Sequence, residues 1–138
     1  MLQNRDDLRQ TYFDVWQKMQ DGQVLEPMEK IIAEVIKLHP EYHSLLGSPQ
    51  QAIQQEFSPE SGQTNPFLHM GFHIGVREQV INNLPEGIEN IHSKLCRRKQ
   101  QHEAEHQMID CLAQTLWLSQ HDNVTPDMSL YLECLKKL

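Results

Sequence analysis

Prolines placed directly after helix-capping residues constrain this chain more than any other feature. The combination occurs at three places, Ser48–Pro49, Asn65–Pro66 and Thr125–Pro126. In each, a side-chain oxygen can cap a helix, and the proline suits the first helical position, where an N–H group would lack a helical partner anyway. These pairs therefore predict helices near 49–56, 66–83 and 126–137.

Apolar residues in the other segments recur every three or four positions, which is the spacing of one helix face. They predict four further helices, over about 4–22, 27–39, 86–98 and 101–121. Asn4 is the expected cap of the first helix, and Pro40 interrupts the second, because the residue before a proline avoids the helical region. Strand-like alternation and hairpin turns are absent from the sequence. We therefore expect an all-α fold, a compact bundle of about six helices in a single domain over 1–138.

The charge balance argues against a nucleic-acid partner. The chain has 19 acidic and 12 basic residues and a formal net charge of -7, whereas phosphate contacts are made by lysine and arginine. No apolar run approaches the length of a membrane span, and no secretory signal is visible. Three cysteines at unrelated spacings do not suggest a disulfide framework. Reduced thiols in a cytoplasmic protein are expected instead.

Histidine is the residue type with the most informative spacing. Three pairs among the eight histidines are four residues apart: His39/His43, His69/His73 and His102/His106. Random placement would give about half of one such pair, and residues at this spacing lie one helical turn apart. Because Pro40 lies inside the first pair, His39 is expected to end one helix and His43 to begin the next. Helical geometry is predicted for the other two pairs only.

Both helical pairs are predicted to face the protein interior. The pair at 102 and 106 falls in the middle of an apolar stripe that includes Ile109 and Leu116. The pair on the 66–83 helix shares its face with apolar residues, and most of the remaining circumference of that helix is apolar as well. Four neutral imidazoles buried together would be costly to leave unsatisfied, and a transition metal ion would resolve that cost.

The sequence therefore predicts a metal ion held between these two helices by His69, His73, His102 and His106, with His43 as a further ligand. Imidazole suits divalent transition metals, of which zinc or iron is the expected cofactor. Five more residues are candidates for a ligand or for contacts that orient the ligands: His39, Glu78, Glu103, Glu105 and Asp110. Glu78 could reach the site only from a locally distorted helix. The spacing leaves open whether the metal is catalytic or structural, and which small molecule a reaction would use.

One part of this pattern has a second interpretation. His102, Glu103 and His106 match H-E-x-x-H, the helical signature of zinc peptidases. Such peptidases need a third ligand, an open coordination position and usually a sheet edge that aligns the substrate. The predicted helices offer no sheet edge, and four histidines would close a tetrahedral zinc site. A peptidase is therefore the minor alternative.

The main alternative is a non-catalytic interaction module whose histidines are structural or sense pH. Apolar residues surround the last predicted helix almost completely: Met128, Leu130, Tyr131, Leu132 and Leu135. This distribution permits a homodimer or docking on a partner protein. Closure of the protein's own core explains it more simply and is preferred.

Several short motifs occur together along the chain: W-x-K from Trp16, HPEYH (39–43), GQTNPFLHMGFH (62–73), EGI (86–88), HEAEHQMIDCL (102–112) and LWLSQ (116–120). In this combination the chain resembles, over nearly its whole length, a family of small bacterial proteins known as domain of unknown function number eighteen-forty-one. The resemblance implies a bacterial cytoplasmic protein. It places these residues on motif positions of the family: His39, His43, Asn65, Pro66, His69, His73, His102, His106 and Trp117. It implies no activity, so the predicted chemistry depends on residue spacing.

Overall fold

A computed structural model describes residues 5–57 and 65–138 of the chain. Within those ranges it forms eight α-helices and a 3-10 turn at Pro40–Tyr42, without strands, which confirms the all-α class. The helices are α1 (Arg5–Asp21), α2 (Pro27–Lys37), α3 (His43–Leu46), α4 (Pro49–Ala52), α5 (Pro66–Asn82), α6 (Ile88–Arg98), α7 (Gln101–Asp122) and α8 (Met128–Lys136). Since α3 and α4 have only four residues each, the expected number of about six describes the longer helices. The predicted cap Asn4 and residues 62–64 of the longest motif lie outside the described residues.

Contacts within the chain group it into two compact units, Met1–Met70 and Gly71–Leu138, with the boundary inside α5. In the first unit, α1 packs on α2 and α3, and α3 packs on α4. Its buried apolar side chains include Tyr12, Phe13, Val15, Ile32, Val35, Ile36 and Leu46. Most of them lie on the helix faces that the apolar periodicity predicted. A single domain over 1–138 stays a prediction.

The helix predicted near 49–56 is shorter than expected and ends at Ala52. The reason is Arg9, which is only 3% exposed. Its Nη1 donates to the carbonyl oxygens of Ala52 at 2.9 Å, Ile53 at 3.2 Å and Gln55 at 2.7 Å. A guanidinium group that satisfies these carbonyls removes the need for further helical turns.

Asn65 begins α5 as predicted. Its Oδ1 accepts hydrogen bonds from the N–H groups of Phe67 at 3.0 Å and Leu68 at 3.2 Å. These are N–H groups that the start of a helix leaves without helical partners. Ser48, by contrast, makes no side-chain cap bond at α4, where Pro49 alone marks the start.

The second unit has its own apolar core. Helices α6, α7 and α8 pack against one another, and the core comprises Val76, Ile88, Leu95, Ala104, Met108, Ile109, Cys111, Leu112, Tyr131 and Leu135. The last helix buries one side in this core, through Tyr131 and Leu135, while Met128 and Leu130 are exposed. The apolar residues on this side of α8 thus help to close the core of the second unit, as the preferred interpretation of the last helix expected.

The start of α8 differs from the prediction by two residues. The helix begins at Met128, not at Pro126, because Asp127 acts as its cap. The Asp127 carboxylate accepts hydrogen bonds from the N–H groups of Ser129 at 2.9 Å and Leu130 at 3.3 Å. A carboxylate at this position also interacts favourably with the helix dipole.

Cysteine pairing contradicts the expectation of three reduced thiols. Cys111 on α7 and Cys134 on α8 form a disulfide, and only Cys96 is free among the described residues. The two bonded cysteines are 23 residues apart in the sequence, so only the packing of α7 on α8 brings them together.

Among the helices of residues 5–57 and 65–138, none combines the length and the apolar composition that a membrane span requires.

Candidate metal centre

Helix α5 carries His69 and His73 on successive turns, as the sequence predicted. His73 and Val76 have no exposed surface, whereas Leu68 and Ile81 are more than half exposed. The exposed residues of α5 are Leu68, Gly71, Ile81 and Asn82, and the others are buried or half-buried, so most of the circumference of the helix is covered, in line with its apolar sequence. One broad side of the helix is buried, and the histidines lie toward it.

In the first unit, His69 meets His39. The Nε2 atoms of the two rings lie 3.1 Å apart, and the ring planes are nearly perpendicular. His39 is fully buried. It stacks on Tyr42 with the rings 5.2 Å apart and nearly parallel. These contacts hold one edge of the His39 ring toward His69.

The backbone fixes the tautomer of His39. Its Nδ1 lies 2.7 Å from the carbonyl oxygen of Val35. Because a carbonyl oxygen only accepts, Nδ1 carries the hydrogen and donates it. In the neutral ring, Nε2 then carries the lone pair that faces His69. Histidines that bind metals are commonly oriented in this way, through a hydrogen bond from the opposite ring nitrogen.

The other histidine predicted in this unit is oriented differently. The Nε2 atom of His43 donates to the carbonyl oxygen of Ile36 at 2.9 Å, and the ring packs against Trp16 with centroids 4.7 Å apart. As predicted, His43 begins a new helix, so it does not stand one helical turn above His39. The structure does not place His43 with the other candidate ligands.

In the second unit, His73 is held by a buried carboxylate. Its Nε2 atom lies 2.7 Å from Oε1 of Glu105, which is 1% exposed. Arg77 donates to the same oxygen through Nε at 3.2 Å and Nη2 at 3.1 Å. The second oxygen accepts from His92 at 2.9 Å and Gln101 at 3.0 Å. Glu105 thus connects four side chains from three helices.

These contacts keep Glu105 ionised. Burial opposes ionisation, but hydrogen bonds from His73, His92 and Gln101, together with the charge of Arg77, outweigh it and hold the pKa of Glu105 well below its usual range. An ionised carboxylate only accepts, so Nε2 of His73 carries the hydrogen, and Nδ1 carries the lone pair of the neutral ring. The contacts of Glu105 are those of a residue that orients His73, and its role at a metal site stays a prediction.

His102 and His106 face each other one turn apart on α7. Their Nε2 atoms are 2.8 Å apart, and their rings are perpendicular with centroids 4.2 Å apart. The ring of His73 lies 5.8 Å from that of His102 and 5.6 Å from that of His106, measured between centroids. These three histidines therefore form one cluster within the second unit.

An open groove borders this cluster. It is lined by Gln100, His102, Glu103, His106, Gln107 and Asp110. Both histidines are partly exposed there, in contrast to the fully buried His73. The carboxylates of Glu103 and Asp110 are exposed, so they belong to the groove and not to the buried hydrogen-bond network around Glu105.

The distances between histidine nitrogens suit a shared ion. Metal–nitrogen bonds of about 2.0–2.1 Å place two nitrogens about 2.9 Å apart at a right angle and about 3.3 Å apart at the tetrahedral angle. The distance of 3.1 Å between His39 and His69 is close to these values. Among the described residues, one group of histidines could hold a metal ion: His39, His69, His73 and His106.

Sequence reasoning missed part of this arrangement. His39 had been named only as a further candidate, for a ligand or for a contact that orients one, yet its Nε2 faces His69 directly, and it stands in the group of possible ligands whereas His102 does not. Glu78 is partly buried on α5, and the described contacts do not join it to the cluster. Residues Arg77, His92 and Gln101 were not predicted to contact Glu105. A signal existed for two of them, because Arg77 follows His73 by four residues and Gln101 precedes Glu105 by four.

Comparison with known proteins gives a family. No curated protein and no solved structure matches the chain significantly. A family model does match it, over residues 4–137. That range covers almost the entire chain and confirms the resemblance drawn from the sequence motifs. The protein therefore belongs to the family described as Domain of unknown function (DUF1841).

Proposed function

We propose that this protein binds a divalent transition metal ion through His39, His69, His73 and His106. Zinc or iron is the expected metal, because neutral imidazole ligands suit transition metals and not magnesium or calcium. The observation that carries the proposal is the approach of two imidazole nitrogens, Nε2 of His39 and Nε2 of His69, to 3.1 Å.

Two facing Nε2 atoms are satisfied either by one hydrogen bond between the rings or by one metal ion that accepts both lone pairs. Two facing Nε2 atoms can share only one hydrogen, and protonating both would set two like charges about 3 Å apart. A metal ion satisfies both lone pairs at once. Two of the proposed ligands are already oriented through their opposite ring nitrogens, His39 by the carbonyl of Val35 and His73 by Glu105.

The helix α5 supports a shared ion for a local reason. Its continuous backbone from Pro66 to Asn82 sets His69 and His73 one turn apart, at a distance over which two side chains can share one ligand. Each of the two histidines also meets a second histidine inside its own unit. The proposal therefore needs only the regular geometry of one helix in addition to the contacts within each unit.

Metal analysis of the purified protein tests this function. We expect about one equivalent of a transition metal, measured by plasma mass spectrometry, and its loss in a His69→Ala/His106→Ala double variant. His121→Ala is the matched control, because His121 is exposed and its described contacts are with Asp122 and Trp117, neither of which is a proposed ligand. His43→Ala is expected to keep the metal. Metal-free protein that also fails to bind added zinc, cobalt or iron would contradict the proposal.

An interaction module is the second candidate function. Trp117 is 59% exposed on α7 and stacks on His121, and Leu130 and Met128 leave apolar surface on α8. Exposed aromatic and apolar side chains of this kind are common in protein contacts. A homodimer is the partner that we expect under this candidate, and light scattering after size exclusion would detect it. A monomer at micromolar concentration would oppose it.

We also propose a cytoplasmic location in a bacterium, on the basis of the family resemblance. The pair Cys111 and Cys134 provides the test, because structural disulfides are rare in reducing cytosol. Cells lysed directly into an alkylating agent should yield both cysteines alkylated, as read by mass spectrometry. An intact disulfide in that sample would contradict a cytoplasmic location.

A further inference from the structure

Helix α8 is attached to both of the helices that carry candidate ligands in the second unit. Tyr131, which has no exposed surface, donates its hydroxyl hydrogen to Oε1 of Gln79 on α5 at 2.6 Å. Cys134, about one turn further along α8, is bonded to Cys111 on α7. The first attachment is a hydrogen bond, and the second is a covalent bond that a thiol can break. One short helix therefore connects α5 and α7 through side chains on successive turns.

Both attachments lie close to proposed metal ligands. Gln79 follows His73 on α5 by six residues, and Cys111 follows His106 on α7 by five. These separations correspond to about 9 Å and about 7.5 Å along the two helices. The rings of His73 and His106 have centroids 5.6 Å apart. A shift of α7 relative to α5 at the attachments therefore changes the distance between the two imidazoles.

We propose that the bond between Cys111 and Cys134 is a redox switch that sets the affinity of the histidine site for its metal ion. The oxidised form holds α8 on α7 and keeps His73 and His106 in position for a shared ion, and reduction lowers the affinity. The inference rests on the proposed metal-binding function. It adds regulation of the same site by a small thiol and the corresponding disulfide.

The exposure of the two cysteines determines how the switch reacts. Cys111 is 2% exposed, whereas Cys134 is half-buried, and disulfides that solvent can reach are the more easily reduced ones. A thiolate of the reductant therefore attacks Sγ of Cys134, forms a mixed disulfide there, and releases the Cys111 sulfur, which takes up a proton. A second thiolate attacks the reductant's own sulfur in the mixed disulfide and releases Cys134. The products are two protein thiols and one disulfide of the reductant, and the reverse steps restore the protein bond.

The effect on metal binding is limited, because other contacts between α5 and α7 do not depend on the disulfide. Oε1 of Glu105 lies 2.7 Å from Nε2 of His73. A Cβ atom at Gly75 would lie 3.9 Å from Cδ2 of Leu112, so the two helices pack closely there. Reduction removes only the constraint that spans 23 residues of the sequence. We expect about one fifth of the reduced molecules to keep the binding arrangement, which weakens the apparent affinity about fivefold.

Zinc titrations of the unsubstituted, full-length protein in its two redox states test the switch. The reduced state is prepared with a phosphine, which is removed by desalting without oxygen, and alkylation followed by mass spectrometry verifies each state. A chromophoric chelator that competes for zinc reports the affinity. We expect the oxidised protein to bind zinc about fivefold more tightly than the reduced protein. By thermodynamic linkage, saturating zinc should favour the disulfide by the same factor in a thiol–disulfide buffer.

Two variants separate the covalent constraint from the chemistry of the thiols. Cys111→Ser/Cys134→Ser has neither the bond nor the thiols, so it should bind zinc as weakly as the reduced protein and should not respond to reductant. Cys96→Ser is the matched control, because it removes the free thiol and keeps the bond. It should show the same difference of about fivefold between its redox states. A double serine variant that binds zinc as tightly as the oxidised protein would refute the switch.

The remaining outcomes distinguish the switch from the metal-binding function. Protein that binds no zinc in either redox state would refute metal binding itself. Equal zinc affinities in the two states would refute the switch and leave metal binding intact. Tighter binding by the reduced protein that the double serine variant loses would also refute the switch, because it would identify the two thiols as zinc ligands. If circular dichroism shows that the double variant does not fold, the two redox states of the unsubstituted protein decide.

Discussion

Replacement of Glu105 tests the organisation of the second unit most directly. The carboxylate is 1% exposed and accepts hydrogen bonds from His73, Arg77, His92 and Gln101. Glu105→Ala removes the carboxylate that these donors contact, including the guanidinium of Arg77, which is largely buried. Removing one partner of a buried ion pair typically costs about 3–5 kcal/mol. This is a large part of the 5–15 kcal/mol by which domains are usually stable.

Urea unfolding of the metal-free protein, followed by circular dichroism, measures this loss. Glu105→Gln keeps the shape and one acceptor oxygen, so it should lose about half as much stability as Glu105→Ala. Glu103→Ala is the matched control on the same helix, because its carboxylate is exposed, and a change within about 0.5 kcal/mol is expected. If Glu105→Ala unfolds at the same urea concentration as Glu103→Ala, the carboxylate does not hold this unit together.

The same substitution separates stability from metal binding. Residues that orient metal ligands typically change affinity by about 10–100-fold when removed. Glu105→Gln should therefore weaken zinc binding by about that factor in calorimetric titrations, under conditions where the variant is fully folded. Unchanged affinity would mean that the bond to His73 does not contribute to the site.

Three further predictions concern the fold. A Cys111→Ser/Cys134→Ser variant should lose about 3 kcal/mol of unfolding free energy relative to the oxidised protein, because the disulfide closes a loop set by the 23-residue separation of the cysteines. Equal stability of the unsubstituted protein with and without reductant would contradict this. Arg9→Met should lose about 3 kcal/mol, since three carbonyl groups lose a charged donor, whereas the exposed Arg5→Met should change the unfolding free energy by less than about 0.5 kcal/mol. Asp127→Ala should cost about 1 kcal/mol through loss of the cap of α8, with Asp127→Asn close to the unchanged protein in the same measurement.

The helices could be predicted from the sequence because their causes are local. Apolar periodicity, the cap at Asn65 and the prolines act within a few residues of the helices that they define. The two boundary errors have different origins. The early end of α4 depends on Arg9, which is 43 residues from Ala52 in the sequence. The start of α8 depends on a local choice between two capping residues, in which Asp127 prevailed over Thr125.

The candidate site was only partly predictable, because some of its contacts join residues that are far apart in the sequence. The pairs on α5 and α7 followed from four-residue spacing. The inclusion of His39 did not, since its Nε2 meets a residue 30 positions away. His43 matched the spacing equally well, but its ring donates to the carbonyl of Ile36. Glu105 could be assigned near the site, while its buried contacts to Arg77 and His92 depend on the packing of α5, α6 and α7.

By itself, the amino-acid sequence determined that this protein is helical, which positions begin most of its helices, and which histidines stand one turn apart. Those properties depend on backbone bonds and side chains no more than about four residues from one another. Tertiary structure alone decided that His39 faces His69, that Glu105 is buried among four donors, and that Cys111 reaches Cys134. Such contacts join segments that are far apart in the chain, and they form only when apolar faces pack and exclude water from between them.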